Sequence, residues 1–219
     1  MALWLPSSYL RPIIRPSQTR TRSYRNRYID TASLTTYSFA GCDIGATPPS
    51  GNREVVVVAL ADGGNARALV SATIAGNAAT VHSTTNSTRT AAILSRTENA
   101  GTTATIAVAF NAGVFGCSIY VYALYGLSSG TPFDAGSGAS GVDTLALPND
   151  SILIFGKNNG TQGVTWSVTG PLGIDISGDY DASNGACASA EIPYNQFAVP
   201  IDLTPSSSTS PRRAWGIWR

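Results

Sequence analysis

The chain has 219 residues and a net charge of +1; 43% of its residues are apolar and 12% charged, about half the usual charged share of a soluble globular protein. Polarity comes instead from 25 Ser, 23 Thr and 22 Gly, which with 29 Ala make a chain of small residues suited to short strands and tight turns, not to a helical bundle. The apolar share argues against disorder throughout, no apolar run approaches the ~18 residues of a membrane-spanning helix, and the opening Met1-Ala-Leu-Trp-Leu-Pro lacks the basic start of a secretory signal.

Residues 1–30 read as an extended arm. Pro6, Pro12 and Pro16 prevent a continuous helix and bias their predecessors to extended geometry. Trp4, Tyr9, Tyr24 and Tyr28 are interspersed with Arg11, Arg15, Arg20, Arg22, Arg25 and Arg27. The expectation is an arm lying on a partner, with aromatics in pockets and guanidinium forks on carboxylates.

From residue 35 the period becomes two. Thr35-Thr-Tyr-Ser-Phe-Ala alternates, and Arg53-Glu-Val-Val-Val-Val-Ala-Leu-Ala is a β-branched run expected of a strand buried on both faces. Leu69-Val-Ser-Ala-Thr-Ile-Ala and Ala78-Ala-Thr-Val-His-Ser flank the Gly76-Asn77 hairpin signal. Thr90 to Arg96, Thr102 to Phe110 and Cys117 to Tyr125 follow. In the last, Cys117, Ile119, Val121 and Ala123 face one side, and Tyr120, Tyr122 and Leu124 the other.

Residues 128–141 read as a Gly/Ser-rich loop, after which strand patterns resume at Val142, Ser151, Val164, Ile174, Ala186 and Phe197. Roughly a dozen short strands at spacings near 8–12 residues predict an all-β antiparallel sandwich of Ig-like or jelly-roll type. Residues 31–205 are taken as one domain, with two stacked small sandwiches as the alternative. Expected core residues are Val55, Val57, Leu60, Ile74, Val81, Ile93, Ile106, Val108, Ile119, Val121, Leu153, Phe155, Trp166 and Ile176. Residues 206–219 read as a polar linker and a docking tail, with Arg212, Arg213, Trp215 and Trp218 as its anchors.

Charge is divided unevenly. Residues 1–30 carry +5, residues 206–219 carry +3, and the span 31–205 carries −7. Basic ends on an acidic body predict attachment to an acidic surface, on another protein or on a second copy of the chain. Nucleic acid is not expected as the partner, because the body would repel it, and no membrane partner is expected.

Motifs for chemistry are sparse, and no enzyme activity or cofactor is expected. His82 could serve a Ser-His-acid arrangement only with Ser83 and Asp62 or Glu98, and reads as a surface residue beside a hairpin. Asp175, Asp179 and Asp181 form a weak oxygen-ligand candidate for Ca²⁺ that lacks the twelve-residue loop with its final Glu. Cys42, Cys117 and Cys187 are widely spaced, with no CxxC, and read as small buried hydrophobes. The Gly-rich stretches lack the Gly-Lys-Ser/Thr ending of a phosphate loop.

Tyr37-Ser-Phe-Ala-Gly-Cys-Asp-Ile-Gly, the Arg53 to Ala59 run, Val70 to Val81, Gly101 to Phe110, Cys117 to Leu124 and Val164-Thr-Trp-Ser together resemble small β-sandwich proteins encoded among the structural genes of tailed bacteriophages. The resemblance spans about residues 35–190. It implies a non-enzymatic virion component, such as a decoration, collar or tail accessory protein, and supplies no site residues. The expected function is a virion accessory protein, homo-oligomeric and anchored through its basic aromatic ends to a capsid, neck or tail protein. The alternative is a glycan-binding host-recognition module of a fibre or spike.

Overall fold

The computed structural model describes residues 20–139, 141–160, 164–171, 173–177, 185–208 and 210–219. Nine strands come first: β1 (Thr21–Asp30), β2 (Leu34–Asp43), β3 (Arg53–Arg67), β4 (Leu69–Ile74), β5 (Asn77–Ala78), β6 (Thr80–Thr84), β7 (Ser87–Thr97), β8 (Thr103–Val114) and β9 (Gly116–Tyr125). Eight follow: β10 (Asp134–Gly138), β11 (Asp143–Leu147), β12 (Ser151–Asn158), β13 (Trp166–Thr169), β14 (Asp175–Ser177), β15 (Gly185–Ile192), β16 (Gln196–Pro205) and β17 (Arg212–Trp218). No helix occurs among the described residues.

Four antiparallel sheets result, ordered β1-β9-β3-β7-β6, β2-β8-β4-β5, β10-β17-β12-β15-β14 and β11-β16-β13. The first two face each other over a core containing Tyr37, Val57, Leu94, Ile106 and Ile119. The last two enclose a core containing Leu153, Phe155, Trp166, Ile201 and Ile217. The two sandwiches then stack through their five-stranded sheets, over a third core with Val56, Val58, Ile93, Tyr122, Ile154 and Trp218. The protein is thus a four-layered all-β body of two stacked sandwiches.

The stacking explains the valine run. A sheet covered on both faces has no polar face, so its strands lose polar alternation. In β3, Val55, Val57 and Ala59 enter the first core, and Val56, Val58 and Leu60 enter the interface between sandwiches. β9 divides as its sequence predicts, with Ile119 and Val121 on one side and Tyr120, Tyr122 and Leu124 on the other. β12 repeats the device, sending Leu153 and Phe155 one way and Ile152 and Ile154 the other. Of the expected core, Val81 is only half-buried, and the Ile176 side chain lies outside the described residues.

Three expectations about segment boundaries are corrected. Residues 21–30 belong to the body: β1 pairs with β9 from Thr21↔Tyr125 to Asp30↔Cys117, with a bulge at Arg25. Tyr24 packs against Tyr122 at 5.4 Å between ring centroids, so the aromatics expected to anchor in a partner fill the chain's own interface. The C-terminal tail is likewise an inner strand, β17, between β10 and β12, with Phe155 opposite Trp215. Its alternation sends Trp215 and Ile217 into the second core and Ala214 and Trp218 into the interface. Burying such side chains outweighs the cost of ordering a short tail. Finally, the 128–141 loop contains the edge strand β10, whose Gly136 lies flat under the Trp215 indole.

Two glycines set the spacing of the inner sheets. A Cβ on Gly156 would stand 2.3 Å from Val58 Cγ1, and one on Gly185 would stand 2.3 Å from Leu60 Cδ1. Polar ties cross the same face: the Tyr120 hydroxyl donates to the Gly185 carbonyl at 2.9 Å, and Asn158 Nδ2 to the Ala61 carbonyl at 2.9 Å. Overpacking of this kind costs about 1–3 kcal/mol, so Gly156→Ala should lower stability by that amount in urea unfolding. Val58→Ala in the same chain should restore part of the loss. Strictly additive effects of the two substitutions would show that no such contact exists.

Candidate functional site

Most cations expected to meet a partner meet acids or carbonyls of the chain itself. Arg20 Nη1 donates to the Asp150 carbonyl, and Arg22 Nη1 to Ser189 Oγ at 2.9 Å. Arg22 Nη2 pairs with Asp175 at 3.1 Å, and the Arg22 backbone N–H donates to Glu191 Oε1 at 2.9 Å. These contacts fasten β1 of the first sandwich to β14 and β15 of the second. Arg25 forks onto Asp43 at 2.6 and 3.1 Å. That hydrogen-bonded pairing raises the Arg25 pKa and lowers that of Asp43. Arg27 lies beside Tyr120. Arg213 forks onto Asp143, with Nη2 to Oδ1 at 2.7 Å, and also donates to the Ala139 and Gly141 carbonyls. Arg212 donates to the Pro211 carbonyl at 2.9 Å. Trp215 and Trp218 are buried, and the Trp218 indole N–H donates to the Gly130 carbonyl at 3.1 Å. Trp4, Tyr9, Arg11 and Arg15 lie outside the described residues.

The other candidates separate. Asp175 is exposed and holds Arg22, while Asp179 and Asp181 lie outside the described residues. No cluster of three or more His, Cys, Asp or Glu suited to a metal occurs among the described residues. The three cysteines are free and buried, and burial pushes their thiols up, Cys42 to about 11. They stay protonated at neutral pH and are poor nucleophiles.

The residues with most chemical capacity come from β3, β6 and β7. Glu54, at the start of the valine run, is buried and accepts from Ser95 Oγ at 2.5 Å and from Thr97 Oγ1 at 2.6 Å. His82 Nε2 lies 2.8 Å from Ser95 Oγ, and its ring stands edge-on to Trp218 with centroids 6.0 Å apart. With Thr80, Arg96 and Thr131 these groups line a polar cleft of about 390 Å³. The loop preceding β10 closes it tightly: a Cβ on Gly130 would fall 2.6 Å from Glu54 Oε2.

Hydrogen-bond direction determines what this line of groups can do. Ser95 has one proton and gives it to Glu54, so the His82 N–H must be the donor toward Ser95. A hydroxyl nucleophile needs the reverse, an imidazole accepting the serine proton. The line is built to hold a buried carboxylate. Neither Asp62 nor Glu98, the acids considered for His82, meets it: Asp62 pairs with Arg89 at 3.9 Å and Glu98 with Arg96 at 4.0 Å.

Two charged neighbours at the mouth of β3 escape sequence reasoning. Arg53 is fully buried and donates to four carbonyls, those of Gly45, Glu98, Ala100 and Gly101, at 2.7–2.9 Å. It draws the loop after β2 and the β7–β8 loop together. Glu54 beside it is satisfied by hydroxyls instead of by Arg53. The only signal was position: a charged pair opening a run buried on both faces must find its partners inside.

Scanned against protein-family models the chain matches none, and no curated protein matches it.

Burial lowers the His82 pKa and raises that of Glu54. A lowered histidine pKa means that the unfolded chain takes up the proton first, so stability falls as pH drops below the ordinary histidine range. Glu54 acts in the opposite sense, its contribution falling as pH rises through its elevated pKa. His82 is the chain's one histidine, so a comparison with His82→Gln isolates it. Between about pH 7 and 5, spanning the ordinary histidine pKa, urea unfolding should show native stability dropping more than that of His82→Gln. Parallel pH profiles would contradict the assignment.

Proposed function

We propose that this chain is a non-enzymatic structural accessory protein of a tailed-bacteriophage particle. Its two-sandwich body would be displayed on a capsid, neck or tail protein and held there by residues 1–19. The observation that carries the reading is how the basic residues divide. Arg20, Arg22, Arg25 and Arg213 engage groups of their own body, and we assign the partner contact to Trp4, Tyr9, Arg11 and Arg15 of the basic N-terminal segment.

The resemblance of residues 35–190 to phage structural sandwiches supports the same reading. Residues 1–19 precede β1, an edge strand of its sheet. Nineteen extended residues span up to about 65 Å, long enough to cross a neighbouring subunit. Copies of the same chain, joined arm to body, would give the homo-oligomer its charge pattern suggests.

Deleting residues 1–19 should leave the melting temperature of the body nearly unchanged. Its incorporation into otherwise complete particles should fall at least about tenfold, as expected for loss of an anchoring hot spot. Deleting residues 207–219 should instead unfold the body, since β17 is an inner strand. Undiminished occupancy after the N-terminal deletion would overturn the attachment reading.

A further inference from the structure

The two stacked sheets part at the end of β3 and β9 farthest from Glu54, leaving a second cleft of about 330 Å³. Asp30, Leu60, Asp62, Phe115, Ser118 and Gly185 line it, drawn from both sandwiches. This volume falls at the lower end of the roughly 300–1,000 Å³ usual for small-molecule sites.

Phe115 stands at the crossover from β8 to β9. It is 62% exposed, so one face of its ring is open at the cleft. Its position is fixed: the backbone N–H donates to the Asp62 carbonyl at 2.6 Å, and the ring lies so close to Gly64 that a Cβ there would stand 3.2 Å from Phe115 Cζ. Ser118 also lines the cleft, and its hydroxyl makes no hydrogen bond with any described residue. On β9 it shares the face of Tyr120 and Tyr122, which turns it toward the gap between the sandwiches. Ser118 is on the cleft wall, so a hydroxyl that spends no bond on a described residue can exchange one with a ligand group. Asp30 and Asp62 add carboxylate acceptors, and Asp62 is held near Arg89 at 3.9 Å.

We propose that this cleft binds one hexopyranose unit of a glycan. The apolar C–H face of the ring would lie against Phe115. Its hydroxyls would donate to Asp30 and Asp62 and exchange a hydrogen bond with Ser118. An exposed ring beside carboxylate acceptors suits a ligand that is apolar on one face and rich in hydroxyl donors at its edge. The site belongs to the isolated chain and does not depend on attachment to a particle, so its failure and that of the proposed function are separately visible.

The test is an amide NMR titration of the full chain with the methyl glycosides of glucose, galactose, mannose and N-acetylglucosamine, each to tens of millimolar. At least one should produce saturable shifts at Phe115–Ser118 and Asp62. Phe115→Ala should weaken that sugar about tenfold or more through loss of the ring face. Ser118→Ala should weaken it to a smaller degree, and Phe197→Ala, at an exposed aromatic elsewhere, should leave it unchanged. The proposal is overturned if none of the four sugars gives saturable shifts there, or if the shifts survive Phe115→Ala. Spermidine is titrated as the competing cationic ligand, and saturation by it alone would also overturn the proposal.

Discussion

The close approach of two sheets across Gly156 and Gly185 is the constraint on which the rest of the molecule depends. Val58 and Leu60 occupy space that any side chain at those glycines would take. Removing two Cβ atoms lets β12 and β15 settle on β3, and that contact converts two modest sandwiches into one four-layered body. A single sandwich of about 100 residues or fewer has a high ratio of surface to core. Sharing an interface buries a second face of both five-stranded sheets, so the most apolar strands lie at the middle of the stack. The polar ends of the interface follow from the same geometry. Where the sheets stop, Glu54 and His82 gather at one end and Ser118 and Asp62 at the other.

The charge pattern takes on a different meaning in this setting. Basic ends and an acidic body looked like a device for meeting a partner, yet much of the complementarity closes within the chain. Arg22 on β1 reaches Asp175 and Ser189 in the second sandwich, and Arg213 on β17 forks onto Asp143. A part-buried bidentate pair such as Arg213–Asp143 orients strands more than it adds net stability, because desolvation offsets much of the attraction. Arg53 reaches the same end by another route, with carbonyl oxygens in place of carboxylates.

Strand pattern was legible wherever burial follows local period. The valine run of β3 announced a strand covered on both faces, and the parity of β9 separated its two sets of contacts correctly. Less legible was anything decided by distant pairing. Residues 21–30 intersperse Arg with Tyr, which fits an arm on a partner as well as a strand whose Arg22 meets Asp175, 153 residues away, and whose Arg25 meets Asp43. β17 was hidden for a similar reason, since a seven-residue run ending the chain reveals an inner strand only through its pairing with β10 and β12. The line from His82 through Ser95 to Glu54 joins three strands, and no spacing in the sequence relates them. Local sequence favoured Ser83 for His82, whereas cross-strand register brings it to Ser95.

Native-state hydrogen exchange tests the central claim most directly, because it reports whether the two sandwiches open together or apart. If the glycine-spaced interface unites them, the amides of Val56 and Val58 in β3 and of Ile154 and Gly156 in β12 will exchange through one global opening. They will then share a free energy and a urea dependence. Exchange of β12 and β15 through a separate opening of lower free energy, with β3 still protected, would contradict the account and reduce the stack to two sandwiches merely in contact.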